Sequence, residues 1–225
     1  MEFDKLASRY LGVTARRYDA ERDRTPKWDR EQAELSSIFG RLERGSTAVD
    51  IPVGTGRCLE LYAKQGLRVT GLDISPDMLA EARAKAESIG LAIELRTGDI
   101  RKIDAPDGAF ETSVCIRFLN WVEIPGVEAA VSELVRVART NLVLAIRHYA
   151  PLSDLPPSVT SAKRAVRQVV KRVRKRLEGP GLVIHEKREV EAVFAKYHLE
   201  VVTAGLIQQR ADGTDYYIYH LRKRA

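Results

Sequence analysis

Short apolar runs alternate along the chain with segments in which apolar residues return every three or four positions, and this alternation predicts the order of elements. Ala48 to Val53 is a brief apolar run closed by a glycine-containing turn, which suits a buried parallel strand. Leu59, Leu61, Tyr62 and Ala63 then open a helical pattern that Gly66 stops, and a second strand runs from there to Asp73. Ser75 is placed to cap the next helix, with Pro76 at its first position and Gly90 at its end. Ala92 to Thr97 reads as strand three, residues 110–123 as strand four with its following loop, and Asn141 to His148 as strand five. Between the last two, Val127, Ala130, Val131, Leu134, Val135 and Ala138 carry helical spacing. Glu189 to Tyr197 is the last helix of the array, and Glu200 to Gln208 with Thr214 to Leu221 form two strands around a turn at residues 209–213.

Two additions flank this α/β array. Residues 1–45 read as a helical pair, Phe3 to Tyr18 and then a helix capped by Thr25, opened by Pro26, and apolar on the face of Trp28, Leu35, Ile38, Phe39 and Leu42. This pair is expected to roof a ligand cleft. Residues 150–185 lie between strand five and the last helix, and within them residues 160–177 form a basic amphipathic helix. Val166, Val169, Val170, Val173 and Leu177 make its apolar stripe; Lys163, Arg164, Arg167, Lys171, Arg172, Arg174, Lys175 and Arg176 cover the rest. The formal net charge of +6 is therefore local to this segment, and the remainder of the chain is not basic.

The stretch from Val49 to Ser75 carries the chemistry. Gly54 and Gly56 lack a Cβ, so the backbone can turn sharply and a ligand can lie against it at the positive end of the following helix. Asp73 falls at the tip of strand two, where a carboxylate accepts hydrogen bonds from ribose hydroxyls. A dinucleotide fingerprint requires a third small residue, and Leu59 stands there, which argues against a nicotinamide oxidoreductase. The segment resembles motif I of the class I S-adenosylmethionine-dependent methyltransferases, written D-x-G-x-G-x-G, with Asp50, Gly54 and Gly56 matching and Pro52 in place of the first glycine.

The resemblance implies a seven-stranded, mostly parallel sheet with helices on both faces and a C-terminal antiparallel hairpin, in a single domain spanning 1–225. It also implies S-adenosyl-L-methionine as cofactor. By resemblance Asp50 holds the ligand's amino group, Asp73 and the adjoining Ile74 meet the ribose side, and Gly98-Asp99-Ile100 matches the acidic motif in which Asp99 and Ile100 contact adenine. Tyr18, Arg22 and Trp28 resemble the aromatic and arginine positions that close over the methionine carboxylate, by an arginine fork and a ring beside the sulfonium.

Open α/β sheets place ligands at the carboxyl ends of their strands, which singles out Arg117, Asn120 and Trp121 after strand four and Arg147, His148 and Tyr149 at the end of strand five. His148 is the expected general base because imidazole titrates near neutrality, with His185 a second candidate; a hydrogen-bonded structural histidine is the competing reading. Arg117 and Arg147 are expected to recognise an anionic group on a small acceptor methylated at oxygen or nitrogen. The basic helix leaves other roles open: docking an RNA or protein acceptor, lying on an anionic membrane surface, covering the site against an acidic substrate, serving a non-catalytic module that presents it, or simply forming a solvated lid whose valines pack on the body. The Asn-Pro-Pro-Tyr type motif of amino-directed nucleic acid methyltransferases is missing after strand four, where the chain reads RFLNW.

The 225 residues, 44% of them hydrophobic, suffice for one sizeable core. No apolar run reaches the roughly 20 residues that span a bilayer. Cys58 and Cys115 make neither a disulfide framework nor a metal cluster, and with a polar N-terminus they predict a reducing, cytoplasmic setting. Tyr219 and Lys223 share the Tyr-x-x-x-Lys spacing of some dehydrogenases but fall at a strand end, a coincidence.

Overall fold

The computed structural model describes residues 25–149, 182–210 and 214–224, together with Val166 and Val170. Helix α1 (Pro26–Phe39) starts as its sequence predicts, with the Thr25 side chain accepting from the Trp28 amide at 3.2 Å and Pro26 in the first turn. There follow β1 (Thr47–Asp50), α2 (Leu59–Gln65), β2 (Arg68–Asp73), α3 (Pro76–Ser88), β3 (Glu94–Thr97), β4 (Phe110–Cys115), a short 3₁₀ turn (Leu119–Trp121), α4 (Ile124–Val137) and β5 (Ala138–Tyr149). Then come β6 (His185–Glu186), α5 (Lys187–Lys196), β7 (Leu199–Gln209) and β8 (Thr214–Lys223).

The sheet runs β3-β2-β1-β4-β5-β8-β7, with the two-residue β6 paired to the end of β5. Strands β1 to β5 are parallel, and β8 lies antiparallel between β5 and β7. Chain order reverses between β1 and β4, so a crevice opens beyond their carboxyl ends.

Each face of the sheet has its own core. On one, Leu35, Ile38 and Phe39 of α1 and Leu59 and Tyr62 of α2 pack on Ala48, Val114, Val143, Ala145 and Ile218. On the other, Val127, Val131 and Leu134 of α4 and Val190 and Phe194 of α5 pack on Val49, Leu142, Leu144, Ile146 and Leu221. The two-residue side-chain period of β5 assigns its members to these cores by turns.

Several boundaries differ from the sequence expectation. Helix α4 begins at Ile124, three residues early, because Pro125 fits the first turn of a helix. Helix α5 begins at Lys187, where Glu186 and Glu189 form a reciprocal capping box. Of the predicted basic helix, only Val166 and Val170 are described; both are helical and exposed, at 63% and 59%. The predicted helix Phe3 to Tyr18 and the tip of the hairpin turn, 211–213, lie outside the described residues.

Candidate functional site

The turn after β1 lays the floor of a cleft of about 110 Å³ that opens to solvent beyond β1, β2 and β4. Gly54 and Gly56 both take positive φ, +58° and +83°, a conformation that a Cβ disfavours. At Gly56 space is also closed, since a Cβ would meet Leu59 Cδ1 at 2.5 Å. The residue that breaks the dinucleotide fingerprint thus folds back over the second glycine of the loop. Pro52, preceded by a cis peptide bond, lines the cleft beside them.

Two carboxylates face this floor. Asp50, 2% exposed, accepts from the Tyr62 hydroxyl at 2.9 Å, and burial, with a smaller contribution from Asp73, raises its pKa to about 7. Such a group favours a cation placed against it, because an opposite charge restores the ionised form. Asp73 accepts the Gly54 amide on Oδ2 and the Ser75 amide on Oδ1, each at 2.9 Å, which ties the tip of β2 to the glycine loop. Burial holds its pKa above the ordinary carboxylate range. Beside it Ile74 is 39% exposed, an apolar surface at the cleft wall.

The opposite wall contains a buried ion network. Glu31, fully buried, accepts from Arg57 on Oε1 and from Arg117 Nη2 and Nε on Oε2, at 3.1 and 3.3 Å. Arg57 in turn lies over the Trp28 ring, 4.6 Å from its centroid. Arg117 adopts φ +62°, unusual for a side chain of this size, and directs the chain from β4 into the Phe118 to Trp121 turn. Neither Glu31 nor Arg57 was expected from the sequence at this site. The available signal was Glu31 itself, a charge on the apolar stripe of α1 between Trp28 and Leu35.

Asn120 organises the rim. Its side-chain amide donates to the Arg147 and Val183 carbonyls at 2.7 Å each and accepts the Arg147 amide at 2.6 Å, and its own carbonyl accepts the Val183 amide at 2.7 Å. Arg147 lies over the Tyr216 ring, 5.2 Å from its centroid, and donates to Gln208 Oε1 at 3.0 Å.

The other expected residues lie as follows. Trp28 stacks on Arg57, behind the cleft wall, and does not line the cleft. Asp99 is held by the Arg101 guanidinium, which lowers its pKa, and Ile100 is buried in the core under α4; neither lines the cleft. Tyr18 and Arg22 lie outside the described residues. His148, adjacent to Arg147 on β5, points to the opposite face of the sheet by strand alternation. There its Nε2 is 2.8 Å from the Tyr219 hydroxyl, its ring stacks on Tyr217, and burial lowers its pKa to about 4. It does not line the cleft, and His185 is similarly occupied, with Nε2 2.9 Å from the Leu119 carbonyl. Burial also pushes the Cys58 thiol up to about 12, so it is no nucleophile. Lys223 donates to the Val135 and Ala138 carbonyls at the end of α4, a capping role. Among the described residues no group of histidine, cysteine, aspartate or glutamate side chains is arranged to hold a metal ion, and no helix is long and apolar enough to cross a membrane.

Comparison with known proteins returns methyltransferases repeatedly, with a [4+2]-cyclase also among the similar solved structures. Residues 48–141 match the family model described as "Methyltransferase domain". The phosphatidylethanolamine N-methyltransferase of Cereibacter sphaeroides is 42% identical over 110 residues, 48% of this chain and 53% of that protein. The demethylmenaquinone methyltransferase of Thermus thermophilus is 33% identical over 130 residues, 56% of this chain and 55% of that protein. The chain therefore spans about half the length of these curated relatives. The crystal structure of magnesium protoporphyrin IX methyltransferase from Synechocystis PCC 6803 with bound SAM superposes with a TM-score of 0.70 at 17% identity, covering 100% of this chain and 98% of that one. The fold is shared with that methyltransferase, whose crystal structure holds SAM.

Proposed function

We propose, for a chain whose residues 48–141 match the methyltransferase domain model, that it transfers a methyl group from S-adenosylmethionine to oxygen or nitrogen of a small anionic acceptor. The observation that carries this reading is the pairing within one cleft of a buried, cation-seeking Asp50 on the floor with the cations Arg57 and Arg117 on the wall. The first suits the ammonium of the cofactor's methionine portion; the second suits carboxylates and other anions.

The residues present fit the cofactor. Asp50 would hold its amino group, Asp73 its ribose, and Gly54, where a Cβ would find open space, leaves room for close approach. Ile74 offers an apolar face for a base. The cofactor supplies an electrophilic methyl on a sulfonium, so the chain's own task is placement. Arg117 and Arg147 orient the acceptor's anion, and the wall of Ile116, Phe118 and Trp121 excludes water from the line of attack. The two curated relatives are named for acceptors of unlike chemistry, phosphatidylethanolamine and demethylmenaquinone, so the acceptor class is read from this chain's own side chains.

Calorimetric titration with S-adenosylhomocysteine tests the reading. Binding is expected, with a loss of at least about tenfold in Asp73→Ala, the equivalent of one forfeited charge-assisted hydrogen bond. Absence of binding at saturating ligand, or equal binding by the variant, overturns it.

A further inference from the structure

Tyr62 is a polar side chain in an apolar place. It lies on α2 in the core between the sheet and α1, fully buried, its ring tilted against Phe39 with the centroids 5.0 Å apart. Its backbone is held on both sides: the amide donates to the Cys58 carbonyl at 3.0 Å, and the carbonyl accepts the Gly66 and Leu67 amides at 2.8 and 3.1 Å. A phenylalanine would make all of these contacts, and a buried hydroxyl costs stability unless something receives it. The receiver is Asp50, whose Oδ2 accepts from the hydroxyl at 2.9 Å across the gap from α2 to the end of β1.

Asp50 thus stands between two neighbours, the core tyrosine behind it and the cleft that it lines. The titratable groups around it come from three elements: Tyr62 and Cys58 from α2 and its first turn, Asp73 from the end of β2, and Cys115 from the end of β4, with Arg57 and Lys85 reaching the Cys58 thiol. Burial and Asp73 disfavour the Asp50 carboxylate, and both thiols are kept neutral by burial. The Tyr62 hydroxyl acts the other way, because a hydrogen bond donated to the charged form of a buried acid favours that form. Burial and the nearby carboxylate push the phenol's own pKa well up, so Tyr62 keeps its proton and is the donor. We propose that Tyr62 is a positioning residue of the ligand site: its hydroxyl anchors Asp50 Oδ2 and keeps that carboxylate ionised near neutrality, so that Oδ1 is offered to the ammonium of the cofactor's methionine portion. The identity of that ammonium rests on the proposed methyl transfer; the coupling of Tyr62 to Asp50 does not.

Tyr62→Phe keeps the ring against Phe39 and removes only the donor. Carbon-13 NMR titration of the full chain reads Asp50 directly, its carboxyl resonance identified by its loss in Asp50→Asn. The midpoint is expected to rise by about one pH unit in Tyr62→Phe, the scale of one hydrogen bond to a charged group. Calorimetric titration with S-adenosylhomocysteine should then find affinity about fivefold lower than in the unaltered chain at about pH 7, and within about twofold of it at about pH 8.5, because a carboxylate that ionises late still ionises. In an Asp50→Asn background, adding Tyr62→Phe should change the affinity by less than about twofold and leave its pH dependence as it was. A midpoint that does not move, or an affinity loss equal at the two pH values, overturns the proposal, since a hydroxyl that merely fills the core would act alike at both. A shifted midpoint in a chain that fails to bind S-adenosylhomocysteine sinks the methyltransferase reading and spares the coupling of Tyr62 to Asp50. Binding by the unaltered chain with an unmoved midpoint in Tyr62→Phe sinks the coupling alone.

Discussion

Arg147 and His148 are consecutive residues at the tip of one strand, yet they belong to different environments. Both are buried, but Arg147 lies among cations on the α1 side, over the Tyr216 ring, whereas His148 lies on the side covered by α5, where burial keeps its imidazole neutral. The difference teaches that position at a strand's carboxyl end does not suffice for a role in chemistry. Parity along the strand decides which core a side chain joins, and only the α1 face leads to Asp50 and the glycine loop.

The sharpest way to break this contrast is to remove the carboxylate that holds the cationic wall together. Glu31→Gln leaves Arg57 and Arg117 buried without their counter-charge, and should cost about 3–5 kcal/mol of unfolding free energy. Urea denaturation checks it; a loss below about 1 kcal/mol, the scale of an exposed pair, would show the network to be dispensable.

Next in size is the exchange across β5. Arg147→Met is expected to raise the acceptor KM by at least about tenfold, a larger factor than its stability loss accounts for, as urea denaturation of the same variant would show. His148→Asn should do the opposite: about 1–3 kcal/mol lost to an unpaired Tyr219 hydroxyl, with kcat near that of the unaltered chain. A bell-shaped rate profile that disappears in His148→Asn would restore the histidine as a base.

Asp50 offers a pH test of the floor. Its folded pKa, about 7, is above the ordinary 3.8, so the folded state binds the extra proton, and its contribution to stability falls as pH rises between those values. A bound ammonium favours the charged form, so S-adenosylhomocysteine affinity should climb with pH up to about 7 and then level off, by at most about tenfold per pH unit. Asp50→Asn should bind weakly and flatten the profile; an unchanged slope in the variant would assign it to another group.

The smallest effect is expected at Lys223. Lys223→Met should cost about 0.3–1 kcal/mol through the part-buried carbonyls at the end of α4, with no change in methyl transfer. A larger loss of activity than of stability would revive the Tyr219 to Lys223 spacing as chemistry.

Much of the fold could be read in advance because its signals are local: a glycine turn between a strand and a helix, Thr25 and Ser75 at N-caps, Gly66 in the left-handed conformation at a C-cap. The site was read less completely, for reasons that differ by residue. Asp50, Pro52, Gly54, Asp73, Ile74 and Arg117 line the cleft because they sit on or just after strand ends that the pattern already placed. Glu31 is brought there by the packing of α1 across the sheet, a contact between residues 86 positions apart that no local pattern encodes. Asp99 lies outside that lining, its carboxylate held by Arg101 two residues on in a partly exposed pair that strand-end position does not announce. The left-handed backbone of Arg117 has no sequence signature at all, since residues of its kind seldom adopt it.

The Asn120 clamp has a consequence for how such a chain can vary. One side chain grips both the end of β5 and Val183, just before β6, so these two points of the chain are fastened together. Length between two pinned ends enters the folding free energy only logarithmically, about 0.6 kcal/mol for each doubling. A change of length between those two pinned ends is expected to leave the cleft floor its shape, since Asn120 and not the intervening sequence fixes where the ends lie.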